Sequence, residues 1–274
     1  MYSKHFHSVI SLILLFTLIS SFFITFAETY EPVNQDRFYS NYSKVLRKYV
    51  DNKGLVNYRG LINDRAYLDI FIYEASKIGT GDFSYFSYED KLAFWINIYN
   101  ALTIKTILDN YPVSSIKNIS GALKKKTNIV LGQKISLEFI EKEILQKQFD
   151  EPKIHMAICC ATMGGPGLLN EPYRGTYITT QLADQSRKFL KDPDKLQIDI
   201  MNSQINISPI FQWYGKEFIK NYSTDKKFIG IDKTQRAVMN FIDTYSDKDL
   251  KKYLYSKRYY IGYLDYNWEL NETK

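Results

Sequence analysis

The chain has 274 residues, a mild formal charge of +6, 16% aromatic residues and two cysteines. That aromatic content favours a substantial folded core over disorder, and the scattered lysines, whose one run is Lys124-Lys125-Lys126, argue against a nucleic-acid-binding surface. The cysteines are adjacent, which excludes an ordinary disulfide framework because bridging neighbours forces a strained ring.

The N-terminus reads as a targeting signal. Lys4 supplies the positive start, residues 9–26 are almost wholly apolar, and Thr25 and Ala27 stand where a signal peptidase inspects the chain. A signal peptide over 1–27, cleaved after Ala27, is expected. The alternative is an uncleaved N-terminal anchor, because the apolar run is close to the roughly 20 residues that span a bilayer. Either way the protein is expected to be exported, periplasmic or extracellular, with membrane contact only through that segment. Residues 28–274 are then expected to form a single domain.

Along the rest of the chain, Phe38, Tyr42, Val45, Leu46 and Tyr49 recur at helical spacing over 34–50. Asp51-Asn52-Lys53-Gly54 makes a turn, residues 55–58 read as extended, and a second helix is predicted over 64–77. Ser87 followed by Asp90 resembles a capping arrangement for a strong helix over 88–109. On that helix Asn97, Asn100 and Ile104 share one face among large apolar residues, so both amides are expected to be buried and to need partners. Short strand and loop pieces follow over 114–119 and 127–135, then a helix capped by Ser136 that continues to about 148.

The next stretch, 150–166, concentrates the unusual chemistry. It holds Cys159, Cys160 and His155, the only histidine beyond the N-terminal segment. A helix is predicted over 152–163, opened by Pro152 and closed by Gly164-Gly165-Pro166, with a strand as the competitor. A helix would set His155 and Cys159 on one face; a straight strand would point His155 and Cys160 to opposite faces. Gly164-Gly165-Pro166-Gly167 could approach phosphate, but it lacks the P-loop lysine pattern.

Beyond it, a helix over 176–190, a hairpin of 197–201 and 204–208 around Asn202-Ser203, a short helix over 209–219, helices over 234–245 and 247–254 and a terminal strand over 258–264 complete the pattern. Trp213-Tyr214 is read as core. The fold class is α+β, a mostly helical single domain with short antiparallel hairpins packed against helices. No cofactor is expected. No metal is expected either, because one histidine and two adjacent cysteines cannot supply the usual four ligands of structural zinc.

These residues carry a resemblance. The runs 94–103, Ile135-Ser136-Leu137 with Ile140-Glu141, 155–166, 210–214 and 263–268 occur in the order that resembles the domain of unknown function 547 family of bacteria and plants. The family's block has a His, a Cys five residues later and a second Cys before a proline pair. His155 and Cys160 match the first two, whereas Gly165 stands at the second Cys and Gly167 replaces one proline. The resemblance therefore implies no mechanism or disulfide that needs both family cysteines, and the family implies no established activity.

The sharp chemical hypothesis is a thiol site in a pocket floored by the Asn97/Asn100 helix and the 155–166 stretch. Cys160 is the nucleophile, His155 its base or thiolate partner, and Asn97 or Asn100 orients the imidazole or supplies an amide donor. These residue types suit a thiol-dependent hydrolase or acyltransferase of the cell envelope. The alternative is a non-enzymatic envelope binding or assembly module, with an unknown ligand or envelope partner, in which His155 and Cys160 are satisfied core residues.

Overall fold

In the computed structural model of the chain, residues 33–256 and 259–274 are described. The expected signal or anchor over 1–27 and the expected strand start at 258 lie outside the described residues. Asn34 caps the first helix, α1 (Gln35–Tyr49), by accepting from the Arg37 N–H at 2.9 Å. Its buried stripe of Phe38, Tyr42, Val45 and Leu46 packs on α2 (Ala66–Lys77), where the Tyr42 and Phe71 rings stack at 4.7 Å.

Helix α3 (Tyr88–Leu108) starts where expected, with the Ser87 hydroxyl accepting from the Asp90 N–H at 3.0 Å. Leu92 to Ile104 are buried without interruption, so this helix is enclosed on all sides. It touches α2, the 137–145 segment and α4 (Ile178–Lys191). Among the described residues no helix is long and apolar enough to cross a membrane.

Strands β1 (Asn128–Val130) and β2 (Gln133–Ile135) form a small hairpin. Ser136 then caps the following turn through the Phe139 N–H, but the expected regular helix contains a wider π turn, Ile140–Leu145.

A second core lies around a three-stranded sheet of order β3-β4-β5. The hairpin of β3 (Leu196–Asp199) and β4 (Gln204–Ile207) is antiparallel as predicted, whereas β5 (Tyr260–Tyr263) adds to β4 in parallel. The sheet packs with α4, the short helix α5 (Ile210–Tyr214), α6 (Lys233–Tyr245) and α7 (Lys248–Ser256). Fully buried Phe211, Phe218 and Phe241 sit at its centre, each contributing about 1.5–3 kcal/mol by leaving water. The architecture is the mostly helical α+β arrangement expected from the sequence, one compact unit over Asn34–Lys274.

The helix predicted over 152–163 does not form. A 3₁₀ turn spans Pro152–Met156, and an irregular extended run follows, with Ala161 in the left-handed region at φ 59°. The cause is a side chain. Asn100 donates to the Ala157 carbonyl at 3.0 Å and accepts from the Cys159 N–H at 2.8 Å, using two backbone groups that a helix would have paired internally. Met156 belongs to the second core, so the cysteine segment runs from that core to the buried face of α3.

The C-terminal segment fastens the other end of this run. Met163 and Gly164 donate their N–H groups to the Glu269 and Asn267 carbonyls at 2.8 and 2.7 Å, and Thr162 bridges Leu270. A Cβ at Gly164 would stand 2.8 Å from Asn267 backbone atoms, so only glycine permits the close approach.

Candidate functional site around Cys160

The two sulfurs end in different surroundings. Cys159 is buried; its sulfur accepts from the Asn271 amide at 3.3 Å, and Asn271 in turn accepts from the Tyr58 hydroxyl at 2.8 Å. Burial, and secondarily its neighbour Cys160, push the Cys159 thiol up to about 12. Cys160 keeps partial exposure, and both cysteines are free thiols.

The Cys160 sulfur lies 3.3 Å from the Thr162 hydroxyl and 3.4 Å from that of Tyr266, and these two hydroxyls are 2.7 Å apart. Desolvation raises the Cys160 thiol above its ordinary value. The Thr162 and Tyr266 hydrogen bonds pull it down, and the charge of Glu141 pushes it up again. At rest this is a protonated thiol.

Glu141 sits in the π turn, nearly buried. Tyr214 donates to one carboxylate oxygen at 2.6 Å and Tyr99 approaches the other at 3.4 Å. Burial first, and this carboxylate second, raise both tyrosines well above their usual range. His155 completes the network from behind: its ring stacks on Tyr214 at 3.9 Å and 16°, and its Nε2 lies 2.8 Å from the Glu217 carboxylate. Among the described residues no hydrogen bond joins His155 to Cys160.

The four residues singled out from the sequence therefore take distinct places. Cys160 is the accessible sulfur, and His155 supports the Tyr214 ring. Asn100 clamps the backbone on either side of Ile158. Asn97 clamps a different loop, donating to the Tyr173 carbonyl at 2.8 Å and accepting from its N–H at 2.9 Å. Both amides are buried as expected, but neither orients the imidazole, since each spends its oxygen and its nitrogen on backbone.

Sequence reasoning did not assign roles to Thr162, Tyr266, Glu141, Tyr214 or Glu217. Glu141, Thr162, Tyr214 and Tyr266 fall in the runs that carry the family resemblance, which was the available signal; Glu217 had none. The reading of Trp213-Tyr214 as core is also corrected for the first residue. Trp213 is 49% exposed and packs against Tyr266 at 5.0 Å and Trp268 at 6.1 Å, with the Lys117 ammonium 3.6 Å over the Trp268 ring.

The arrangement holds one thiol among hydroxyl groups and within the field of a nearly buried carboxylate, and Tyr266 links it to the aromatic cluster of Trp213 and Trp268. Among the described residues no three His, Cys, Asp or Glu side chains converge to hold a metal ion. Fold and site define a mostly helical α+β protein built around a loop-borne free thiol. Residues 83–190 match the family model described as Protein of unknown function, DUF547. The matched stretch contains α3, Glu141, His155 and both cysteines; Tyr214, Glu217 and Tyr266 come from beyond it. No curated protein and no solved structure matches the chain.

Proposed function

We propose that the chain is an exported thiol-dependent hydrolase or acyltransferase with Cys160 as its nucleophile. The observation that carries this reading is the placement of the one partly exposed sulfur between two hydroxyls and within the field of a nearly buried carboxylate. A protonated thiol needs its proton removed as it attacks, and Glu141 is the base whose charge already acts on it.

In this reading Cys160 Sγ bonds to the substrate's acyl carbon while its proton passes to Glu141. The Thr162 and Tyr266 hydroxyls donate to the developing oxyanion. The C–O or C–N bond then breaks, the leaving group takes the proton from Glu141, and a thioester remains. Water or an acceptor hydroxyl attacks that thioester, losing its proton to the carboxylate and returning the thiol. His155 and Glu217 act as positioning residues that hold Tyr214, and through it Glu141. Export rests on the apolar run 9–26 and the small residues that follow it.

The raised thiol and the missing His155–Cys160 bond favour a second reading, a binding module of the cell envelope that uses the same aromatic cluster. Incubation with p-nitrophenyl acetate followed by intact-mass measurement separates the two. The enzyme accumulates an acyl adduct that is absent in C160A and forms at least tenfold more slowly in E141Q. Absence of any adduct on the native protein, with labelling of Cys160 only after unfolding, overturns the enzymatic reading in favour of the module.

A further inference from the structure

A cleft of about 490 Å³ opens between the Asn52–Leu55 turn, the loop from Thr162 to Gly167, the end of α4 and the Asp192–Lys195 turn. Its size falls in the range of small-molecule sites. Cys160, His155 and Glu141 do not line it; of the residues around the Cys160 sulfur only Thr162 reaches its wall, and the lysines opposite have no part in the thiol chemistry.

The cleft is built rather than incidental. Four of its polar side chains, Thr162, Gln185, Lys195 and Asn271, are nine-tenths or more buried. Gln185 donates to the Gly167 carbonyl at 2.8 Å, and Lys195 donates to the Met163 carbonyl at 2.5 Å, so the loop wall is braced from α4 and from the turn after it. Gly54 and Gly167 meet backbone to backbone at the rim; a Cβ on Gly54 would stand 2.6 Å from Gly167, and its φ of +85° also requires glycine. Leu55, Met156 and Phe189 supply apolar wall.

Its charge is unbalanced. Lys53, Lys188, Lys191 and Lys195 line the cleft against Asp192 and Asp194. Asp192 lies 3.5 Å from Lys195 and so serves the buried lysine first. Lys53, Lys188 and Lys191 make no ion pair among the described residues. Desolvation lowers the Lys188 ammonium below the usual lysine range in spite of Asp51 and Asp192, which marks a cation short of counter-charge.

We propose that this cleft binds an organic oxyanion with two negative charges on a small apolar body, its head between Lys188 and Lys191 and its body against Leu55 and Phe189. Lysines are effective point-charge partners for such a head, and the apolar wall distinguishes an organic anion from an inorganic one.

Isothermal titration of the whole protein tests it with phenyl phosphate, phenylsuccinate, inorganic phosphate and benzyl alcohol. Saturable one-site binding of phenyl phosphate or phenylsuccinate is expected, at least tenfold tighter than inorganic phosphate, with benzyl alcohol unbound. Whichever of the two acids binds more tightly assigns the head as phosphate or dicarboxylate. The double variant K188A/K191A alters exposed side chains and keeps the fold; it is expected to weaken binding at least tenfold, and raising the salt weakens the native protein similarly. C160A is expected to bind as the native protein does, so the result stands apart from the thiol reading. Absence of saturable binding, equal binding of benzyl alcohol, or affinity unchanged in K188A/K191A overturns the proposal.

Discussion

Cys159 and Cys160 share a peptide bond and almost nothing else. Around Cys159 the contacts are amides and backbone: Asn100 takes its N–H, Asn271 donates to its sulfur, and Tyr58 holds Asn271. Around Cys160 they are hydroxyls, with the charge of Glu141 acting on the sulfur and the half-exposed Trp213 packed on Tyr266. The first region fixes where the loop runs, and the second leaves its sulfur partly exposed. Neighbouring residues diverge in this way because the run is neither helix nor strand, and a left-handed residue at Ala161 turns the chain immediately after the pair.

The largest expected effect tests whether the amide side is the fastener. Asn100→Ala strands a buried carbonyl at Ala157 and a buried N–H at Cys159, a cost of roughly 2–6 kcal/mol at about 1–3 kcal/mol per orphaned group. Urea unfolding should show that loss; an unchanged midpoint would mean the clamp is incidental. Alkali separates the two sulfurs next. Because the folded Cys159 thiol is raised to about 12, its contribution to stability is complete below the unfolded thiol's value and is lost as pH rises through the window up to the folded value. The slope from one such group is at most about 1.4 kcal/mol per pH unit above roughly pH 8.5. Cys159→Ala should flatten the fall in unfolding free energy between pH 8.5 and 10, and a slope equal to the native one would contradict its sealed state.

On the open side, two substitutions should move Cys160 in opposite directions. Glu141→Gln removes a negative neighbour and lowers the thiol's titration point, which predicts alkylation by iodoacetamide up to about tenfold faster at pH 7.5, the equivalent of one pKa unit. Tyr266→Phe removes a hydrogen bond that favours the thiolate, so alkylation should slow by a few-fold, in keeping with a bond worth about 1 kcal/mol. Stopped-flow labelling of the native protein and both variants reads the order directly. If the two variants shift the rate the same way, the description of the Cys160 surroundings is wrong.

Much of the fold was legible in residue order. The Asn34 and Ser87 caps, the apolar stripe of α1 and the β3-β4 hairpin are local features, set by periodicity and by hydrogen bonds between residues a few positions apart. The need of Asn97 and Asn100 for buried partners was legible too, but the identity of those partners was not. Tyr173 and Ala157 lie 76 and 57 residues away. The same separation explains the misread helix over 152–163. Its proline start and glycine stop are genuine local signals, and a side-chain amide from α3 outcompeted them.

Composition and order by themselves determined that the chain folds around an aromatic core, that its thiol chemistry is confined to 155–160, and that two buried carboxamides must be satisfied. Tertiary structure alone decided which sulfur is reachable, that His155 faces Glu217 and Tyr214 rather than a thiol, that Tyr266 stands beside Cys160 and that the charge of Glu141 acts on it. The division has one physical cause. Caps and stripes are properties of a few consecutive residues, whereas accessibility and electrostatic neighbourhood belong to surfaces that exist only once distant segments have packed.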